Sequence, residues 1–501
     1  MPLSLSLTGF PTSNPIPGDY VEVSFGQGEQ AGDLTTKKVL IIAPKTSAGT
    51  ITADTAVEGP VMDENTAITL GGAGSPLHRM VMAFLSICKT APVYVLAPTA
   101  SAGTSATATV TVATTPTGVG VASIFVCCEE TSYAFTSSDT VTTIAAGLVA
   151  AFNAKTYMPC TAANVSGVIT LTAKLPGPEF NTLRVRAKIT SGVATTITPT
   201  ASTAFSGGAT ATSHTTALAT ILASKYDYIV AFTNDTTQLT AIGTQLTTQA
   251  LPTNGIRQQC IAAHSTTPAA SVTLAQALNN PLISLCNQRA AEEEHYVIAA
   301  KVAAVRYLNE VPFAAFNYDF YGTKTGNIFP IKRPFSDADL FNQTELQTML
   351  NGGVTPIQGA TTGQAYIVRA ITTKCLNGAQ PDYRTRDVHR VTVAFKYADL
   401  ALIGIAAANY QQCSDELPDG QPEPPAIVAT PKRVKARLEQ VLFNMRDDGL
   451  VDPSKIPTMI AGLQVGLDPG NSARMNIRTP LYAANLLHQT AHLVAESSPS
   501  V

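Results

Sequence analysis

The sequence predicts a mixed α/β multidomain protein: a layered α/β core, a small α+β domain inserted into it, and an extended β-strand arm at each end. Three observations support this architecture. Strand-like apolar runs alternate with helical patterns in two separate stretches, a Thr/Ala-rich segment with its own turn signals lies between them, and alternating strands stand alone near both termini. At 501 residues the chain is longer than one core usually holds, so two or three domains are expected.

The N-terminal arm is assigned to residues 1–36. In its predicted strand, apolar and polar side chains alternate between the two faces, and the residues assigned to the strand are Tyr20, Val21, Glu22, Val23 and Phe25. No hairpin turn follows to supply a local partner for the backbone groups. The strand is therefore expected to pair with a distant part of the chain or with another chain. An ordinary edge strand that closes the chain's own sheet explains the same pattern.

The C-terminal arm, with a terminal helix, is assigned to residues 466–501. Ala473, Met475 and Ile477 alternate with polar residues and form its predicted strand. This strand also lacks a following hairpin turn, so the same two explanations apply. Glycines beside the two arms are expected to act as joints because glycine accepts wide changes in φ and ψ. These are Gly26, Gly28 and Gly32 at one end and Gly466 and Gly470 at the other.

The core is assigned to residues 37–98 and 212–465. Its predicted strands cover residues 39–43, 93–96, 226–232 and 258–263, with helices at residues 77–88 and 236–249. Residues 286–308 are interpreted mainly as helix, and Thr344 with Gln347 as a capping box. A further helix is predicted to begin at Pro431 and to stop near Gly449.

The inserted domain is assigned to residues 99–211. Its opening Thr/Ala/Ser/Gly-rich run is typical of a linker, but structural signals follow. Asp139 is predicted to cap a helix, and residues 164–167 form a plausible hairpin turn between strands at 160–163 and 168–173. A third strand is predicted at residues 183–189. Such a segment fits a small domain placed in a surface loop of the core.

Composition disfavours several classes of function. Only 13% of residues are charged and the net charge is −3, so an electrostatic nucleic-acid groove is not expected. Insertion into a membrane is not expected either, because nothing is long and apolar enough to span one. The first residues lack the features of a secretory signal, and the 8 cysteines are scattered without a C-x-x-C pair. Reduced thiols in a cytoplasm are the simplest interpretation.

The sequence offers no catalytic, cofactor-binding or metal-binding site that withstands inspection. His488 and His492 have zinc-binding spacing, but Gln489 stands where a protease of that type needs Glu. Residues 292–295, Glu-Glu-Glu-His, would fan around a helix instead of converging on a metal, so a solvated face is expected there. Neither a phosphate-binding loop nor a nucleophile elbow occurs. We therefore expect no enzyme and no cofactor.

Several stretches, in this order, resemble the contractile-tail sheath proteins of phages, in particular the Mu type, over nearly the whole chain. They are residues 16–23 (IPGDYVEV), Asp139-Thr140, Asn153-Ala154, Thr161-Ala162, 171–174 (LTAK), Pro312-Phe313, Gly322, 344–353, 369–373 (RAITT) and 473–477 (ARMNI). The resemblance implies a structural polymer in which subunits form stacked six-fold rings around an inner tube. It implies that the arms add strands to the sheets of neighbouring subunits, and that contraction drives the tube through a host envelope.

The resemblance also implies partners and a location. The partners would be further copies of the chain, a tail tube protein, and baseplate and tail terminator proteins, with no nucleic acid. The protein would lie in the virion tail after assembly in the host bacterial cytoplasm. A helix in the family's C-terminal region faces the tube; its counterpart would be the basic helix with Lys432, Arg433, Lys435, Arg437 and Arg446. A solvated basic helix is the alternative.

Two rival functions stay open at this point. Another phage structural subunit, such as a tail tube or capsid protein, would be expected to lack two strand arms around an interrupted core. A tail-associated hydrolase would need paired carboxylates in a cleft.

Overall fold

A computed structural model gives the structure of most of the chain. The described residues are 37–190, 195–289, 291–309, 328–332, 339–361, 363–382, 384–415 and 422–484. The predicted strand with Tyr20, Val21, Glu22, Val23 and Phe25 lies outside them, as do Gly26, Gly28, Gly32, His488 and His492.

The helices and strands have the following bounds. The first part of the core contains β1 (Val39–Ile42), β2 (Val57–Val61), α1 (Glu64–Gly71), α2 (Pro76–Leu85) and β3 (Val93–Leu96). The inserted segment contains β4 (Ser105–Ala113), β5 (Gly120–Val126), β6 (Glu129–Phe135), α3 (Val141–Asn153), β7 (Cys160–Val165), β8 (Val168–Pro176), a 3-10 turn (Pro178–Thr182), β9 (Arg184–Thr190), β10 (Thr196–Thr198) and β11 (Thr203–Ala204).

The core then resumes and leads into a C-terminal part. The core elements are α4 (Thr215–Thr220), β12 (Tyr228–Ala231), α5 (Thr236–Gln249), β13 (Gln259–His264), α6 (Pro268–Leu278), β14 (Ile283–Asn287), α7 (His295–Asn309), β15 (Ile328–Pro330), α8 (Gln343–Asn351), β16 (Val354–Thr361), β17 (Gln364–Ile367), β18 (Leu376–Asn377) and β19 (Gln380–Pro381). The last elements are α9 (Val388–Ala406), β20 (Gln412–Cys413), β21 (Val428–Ala429), α10 (Pro431–Asp447), α11 (Ile456–Gly462), β22 (Gln464–Asp468) and β23 (Asn471–Arg478).

The core is a nine-stranded sheet in the order β15-β17-β16-β14-β13-β12-β1-β3-β2. The six strands from β16 to β3 run parallel. Parallel strands covered on both faces need continuous apolar runs, and all four residues of β1 are fully buried. The predicted mixed α/β fold class is therefore confirmed.

Helices cover both faces of this sheet. Val39 and Ile41 of β1 face a buried cluster that contains residues of α2 and α7. Leu40 and Ile42 face the opposite cluster, which contains residues of α5 and α6. Successive residues of a strand point to opposite faces, so this one run supplies both halves of the core.

The inserted segment forms two four-stranded antiparallel sheets with α3 packed against them. The predicted hairpin turn is present, with Val165 paired to Val168 and positive φ at Ser166 and Gly167. The opening Thr/Ala-rich run, expected to resemble a linker, is largely strand β4. Thr140 caps α3, accepting from the Thr143 amide, so the expectation that Asp139 is the cap was wrong.

Two further expectations about the core were wrong. Residues 283–287 form strand β14, and helix α7 begins only at His295, because these five residues are buried between two parallel strands. The capping box of α8 is formed by Asn342 and Glu345, not by Thr344 and Gln347. Asn342 lies two residues before Thr344, so the helix begins earlier than the Thr-x-x-Gln pattern suggests.

The C-terminal part has a buried cluster of its own, built from α10, α11 and the end of α9. Helix α9 joins it to the core: Val391 and Phe395 pack beneath the sheet, while Tyr397 and Ala401 belong to the C-terminal cluster. The boundary expected at residue 466 falls inside β22. No helix in the described part of the chain has the length and hydropathy needed to cross a bilayer.

Candidate functional site

The predicted C-terminal arm strand lies in a hairpin of its own chain. Strand β23, which carries Ala473, Met475 and Ile477, pairs antiparallel with β22, with Val465 opposite Ile477. The expectation that this strand has no local partner was therefore wrong: the partner precedes it instead of following it. Met475 and Ile477 are half-buried against the C-terminal cluster, whereas Ala473 is exposed.

The turn of this hairpin is fixed by side-chain hydrogen bonds. Asp468 accepts from the amide of Gly470 at 2.7 Å and from Nδ2 of Asn476 at 2.9 Å. The hydrogen bond from Asn476 lowers the pKa of Asp468, so the carboxylate is charged at neutral pH. Among the described residues, the hairpin is a two-stranded sheet without a third strand. Neither strand has a strand paired to its outer edge, so another strand could add there, although near the turn Cys413 Sγ of β20 donates to the Ser472 carbonyl at 3.1 Å.

The basic helix predicted to face the tube is α10, and Arg433, one of its five cations, serves the fold. Arg433 donates to the carbonyls of Pro424 and Pro425 at 2.6 Å each and to that of Val428 at 3.0 Å. Lys432 lies 3.4 Å from a carboxylate oxygen of Glu423. Arg433 therefore clamps the preceding loop onto the first turn of the helix and is not free to contact a partner.

The other three cations of α10 differ in their surroundings. Arg446 pairs with Asp447 at 2.6 Å and lies over the ring of Phe443. Arg437 is exposed and Lys435 is half-buried, and neither has an ion pair within the described part of the chain. The buried side of the helix, led by Leu438, packs in the C-terminal cluster, and Lys435 and Arg437 lie on its two flanks. Lys435 and Arg437 are thus the cations most available to a partner.

A buried ionic layer joins the inserted segment to the core. Glu292, Glu293, Glu294 and His295 are all buried, so the expected solvated face was wrong. Each carboxylate meets a cation from a different element. Arg186 of β9 lies 3.4 Å from Glu292, Lys301 of α7 lies 2.6 Å from Glu293, and Arg79 of α2 donates to Glu294. One pairing within eight residues and two from distant parts of the chain make burial of three adjacent acids possible.

The electrostatics of this layer follow from burial and from the cations. Burial alone would raise the pKa of Glu294, but the charge and hydrogen bond of Arg79 outweigh it and hold the pKa below its ordinary value. Burial, followed by the nearby Glu292 and Glu293, raises the pKa of the Cys128 thiol. Its Sγ donates to Glu292 at 3.6 Å. This cysteine is therefore a neutral donor at the interface and not a reactive thiolate.

Sequence reasoning did not identify this layer, although the chain contains a signal for it. Three consecutive acids directly before an apolar helix are unusual in a chain with so few charges, and helix N-termini favour carboxylates. All eight cysteines are free. No group of three or more His, Cys, Asp or Glu residues arranged to hold a metal occurs in the described ranges.

Comparison with known proteins gives one curated relative along the full length of the chain. No protein-family model matches. The chain is 26% identical over 503 residues to the Mu-like prophage FluMu tail sheath protein of Haemophilus influenzae, and the alignment covers 98% of this chain and 99% of that protein. The resemblance seen in the sequence motifs is thereby confirmed.

Solved structures that resemble the chain include two bacterial sheath tail proteins. One is from Desulfitobacterium hafniense, 14% identical, covering 92% of this chain and 100% of that chain with a TM-score of 0.45. The other is Lin1278 from Listeria innocua, 13% identical, covering 90% and 95% with a TM-score of 0.43. A contracted sheath of an extracellular contractile injection system is 12% identical, covers 97% and 99%, and has a TM-score of 0.44.

Proposed function

We propose that this chain, a full-length relative of a Mu-like tail sheath protein, is the structural subunit of a contractile tail sheath. The observation that carries the proposal is the alignment over 98% of this chain and 99% of the relative, because it extends over nearly the whole of both chains. The subunits assemble as stacked hexameric rings around an inner tube, and contraction of the sheath drives the tube through a host envelope.

The C-terminal hairpin supports assembly by strand addition. Strands β22 and β23 keep open edges within the described residues, and the turn at Asp468 holds the hairpin in one geometry. A strand from a neighbouring subunit would satisfy the backbone groups at these edges. Residues 20–25 of the N-terminal arm are the proposed donor. Met475 and Ile477, first assigned to a donating arm, would then belong to the accepting hairpin.

Helix α10 supports contact with a tail tube. Lys435 and Arg437 lie on the two flanks of the buried side of this helix, so the helix can present them without changing its own packing. Exposed ion pairs contribute only about 0 to 1 kcal/mol each. Several such contacts would hold an extended sheath on its tube and would be lost at little cost when the sheath contracts.

The proposal includes no catalytic residue, metal or cofactor, because rigid-body motion between two sets of subunit contacts suffices for contraction. The partners are further copies of the chain, a tail tube protein, and baseplate and tail terminator proteins. The location is a virion tail, assembled in the host bacterial cytoplasm. Neither nucleic acid nor a membrane is a proposed partner.

Electron microscopy of the purified full-length chain tests this function. We expect hollow cylinders with six-fold rotational symmetry, wide enough to enclose a separate tube. Closed shells, or narrow tubes without room for an inner tube, would instead indicate a capsid or tail tube protein. A preparation that stays monomeric at high concentration and degrades cell-wall glycan would support the hydrolase.

A further inference from the structure

The parallel sheet of the core has a topological switch point between β1 and β12. The chain runs from β1 to β3 on one side, then crosses to β12 on the other, with β1 between them. In doubly wound sheets of this kind, the crevice beyond the carboxyl ends of the two strands is where a ligand binds. In this protein the inserted segment leaves the core directly after β3 and therefore lies at that same edge.

The 3-10 turn of the inserted segment fills this crevice. Phe180 packs on Phe232, the residue after β12, with ring centroids 5.5 Å apart. Thr182 Oγ1 lies 2.9 Å from Nδ1 of His295, and Nε2 of His295 donates to the carbonyl of Phe232 at 2.9 Å. Glu179, beside Phe180, enters the same region and is fully buried.

Glu179 is a buried carboxyl group that faces no strong counter-charge. One oxygen accepts two long hydrogen bonds, from the Thr212 amide at 3.3 Å and from the Thr233 hydroxyl at 3.4 Å. The other oxygen has no hydrogen-bond partner within the described residues. The charged group that acts on Glu179 is Asp235, another carboxylate. Glu179 thus differs from Glu292, Glu293 and Glu294, each of which meets a cation.

We propose that Glu179 is a protonation-controlled latch, which closes the inserted segment over the switch-point crevice when the carboxyl is neutral and weakens that closure when it ionises. A neutral carboxyl can stay in this pocket, whereas a carboxylate with only its own amide, two long hydrogen bonds and an acidic neighbour loses more by dehydration than these donors return. The latch is a property of the single subunit, and it holds whether or not the chain forms a sheath.

The direction of the pH dependence follows from the position of this group. Burial, and then Asp235, raise the pKa of Glu179 to about 7 when the turn is closed. The open state releases the side chain to water, where its pKa returns to the ordinary value near 4.5. Between these two values the closed state holds a proton that the open state has lost. Closure therefore weakens as pH rises through this window and changes little above it.

Two histidines near the latch titrate in the opposite sense. Burial lowers the pKa of His214 and of His295 to about 4, so both are neutral when the turn is closed. His214 contacts the carbonyl of Thr212, and Asp54 and Asp235 are the acids that act on it. In the open state their pKa would return to the ordinary value near 6.5, so they would gain protons as the pH falls below that value. Closure would then weaken at low pH. The effect of the Glu179 carboxyl must therefore be separated from that of the histidines by comparing the wild type with a Glu179 variant at each pH.

Hydrogen exchange measured by mass spectrometry can make this comparison on the full chain. The protection of amides in residues 178–183 and 212–214, corrected for intrinsic exchange, is followed from pH 5 to pH 8 in the wild type and in Glu179→Gln. The amide side chain keeps the shape but cannot ionise, and both proteins retain the histidines. Glu130→Gln, at an exposed position of the same domain, is the matched control.

We expect the protection of Glu179→Gln relative to wild type to rise by at least about tenfold between pH 5 and pH 7.5 and then level off. Glu130→Gln should follow the wild type at every pH. If the protection of Glu179→Gln relative to the wild type does not change with pH, the proposed latch is wrong. If Glu179→Gln fails to fold, the single variant His214→Asn, which keeps Glu179, is measured instead. Its amides in residues 178–183 should lose protection as the pH rises from 5 to 7.5, and constant protection would contradict the proposal.

Discussion

The Arg186 guanidinium, on strand β9 of the inserted segment, lies 3.4 Å from the Glu292 carboxylate, which precedes helix α7 of the core. The side chain of Glu292 is 3% exposed and that of Arg186 is 32% exposed. Glu292 is therefore buried in the core, and Arg186 is partly exposed to solvent. It fixes the inserted segment to the core by a contact between residues far apart in the chain, and the segment should move with the core as one body.

Replacing Arg186 with Met should destabilise the subunit, because the buried Glu292 would lose its cation. We expect a loss of about 2 kcal/mol in the free energy of unfolding, less than for a fully buried pair because Arg186 is partly hydrated. Chemical unfolding of the monomer measures this loss. Arg184→Met, two residues earlier on the same strand face, removes a cation that has no ion pair among the described residues and serves as control. Equal losses in the two variants would mean that the ion pair contributes nothing specific.

Truncations should separate the arms from the folded subunit. Deletion of residues 1–36 should change the free energy of unfolding by less than about 1 kcal/mol while preventing cylinder assembly, because the proposed partner of this arm lies in a neighbouring subunit. Deletion from residue 471 should in contrast destabilise the C-terminal part, because β23 pairs with β22 and Leu481 is buried. Calorimetry and electron microscopy measure the two effects. Normal cylinders from the 1–36 deletion would exclude strand exchange by that arm.

Reversing the two available cations of α10 should affect tube binding alone. In the double variant Lys435→Glu and Arg437→Glu, we expect subunits to form contracted cylinders but not extended sheath on tubes, because the tube-facing charges oppose binding. Electron microscopy of subunits mixed with tubes distinguishes the two assemblies. The double variant Arg184→Glu and Lys188→Glu makes the same change of charge on the inserted segment. Extended sheath forming normally with the α10 variant would place that helix away from the tube.

Local apolar runs made much of the core predictable. Residues 39–42 read as a buried strand because four apolar residues, three of them β-branched, stand together. Helix α5 occupies the predicted residues 236–249, with Asp235 as its cap. Strand β4 was missed because alternating Thr and Ala carry too little contrast in hydropathy to mark two faces.

Contacts between distant residues were not predictable from one sequence. Arg79 is 215 residues from Glu294, and Arg186 is 106 residues from Glu292, so no local pattern indicates that these acids are neutralised. The C-terminal hairpin could have been found. Residues 468–471, Asp-Pro-Gly-Asn, are a strong turn signal between two alternating runs, but the turn precedes the predicted strand instead of following it.

In the proposed assembly, strands exchanged between neighbouring subunits join them into a sheath. A cryo-electron microscopy reconstruction of cylinders formed by the full-length chain, at a resolution that traces the backbone, tests it most directly. We expect residues 20–25 of one subunit to lie as a strand against the β22–β23 hairpin of another, in rings of six. Residues 20–25 paired within their own subunit, with rings held together by side-chain contacts alone, would contradict it.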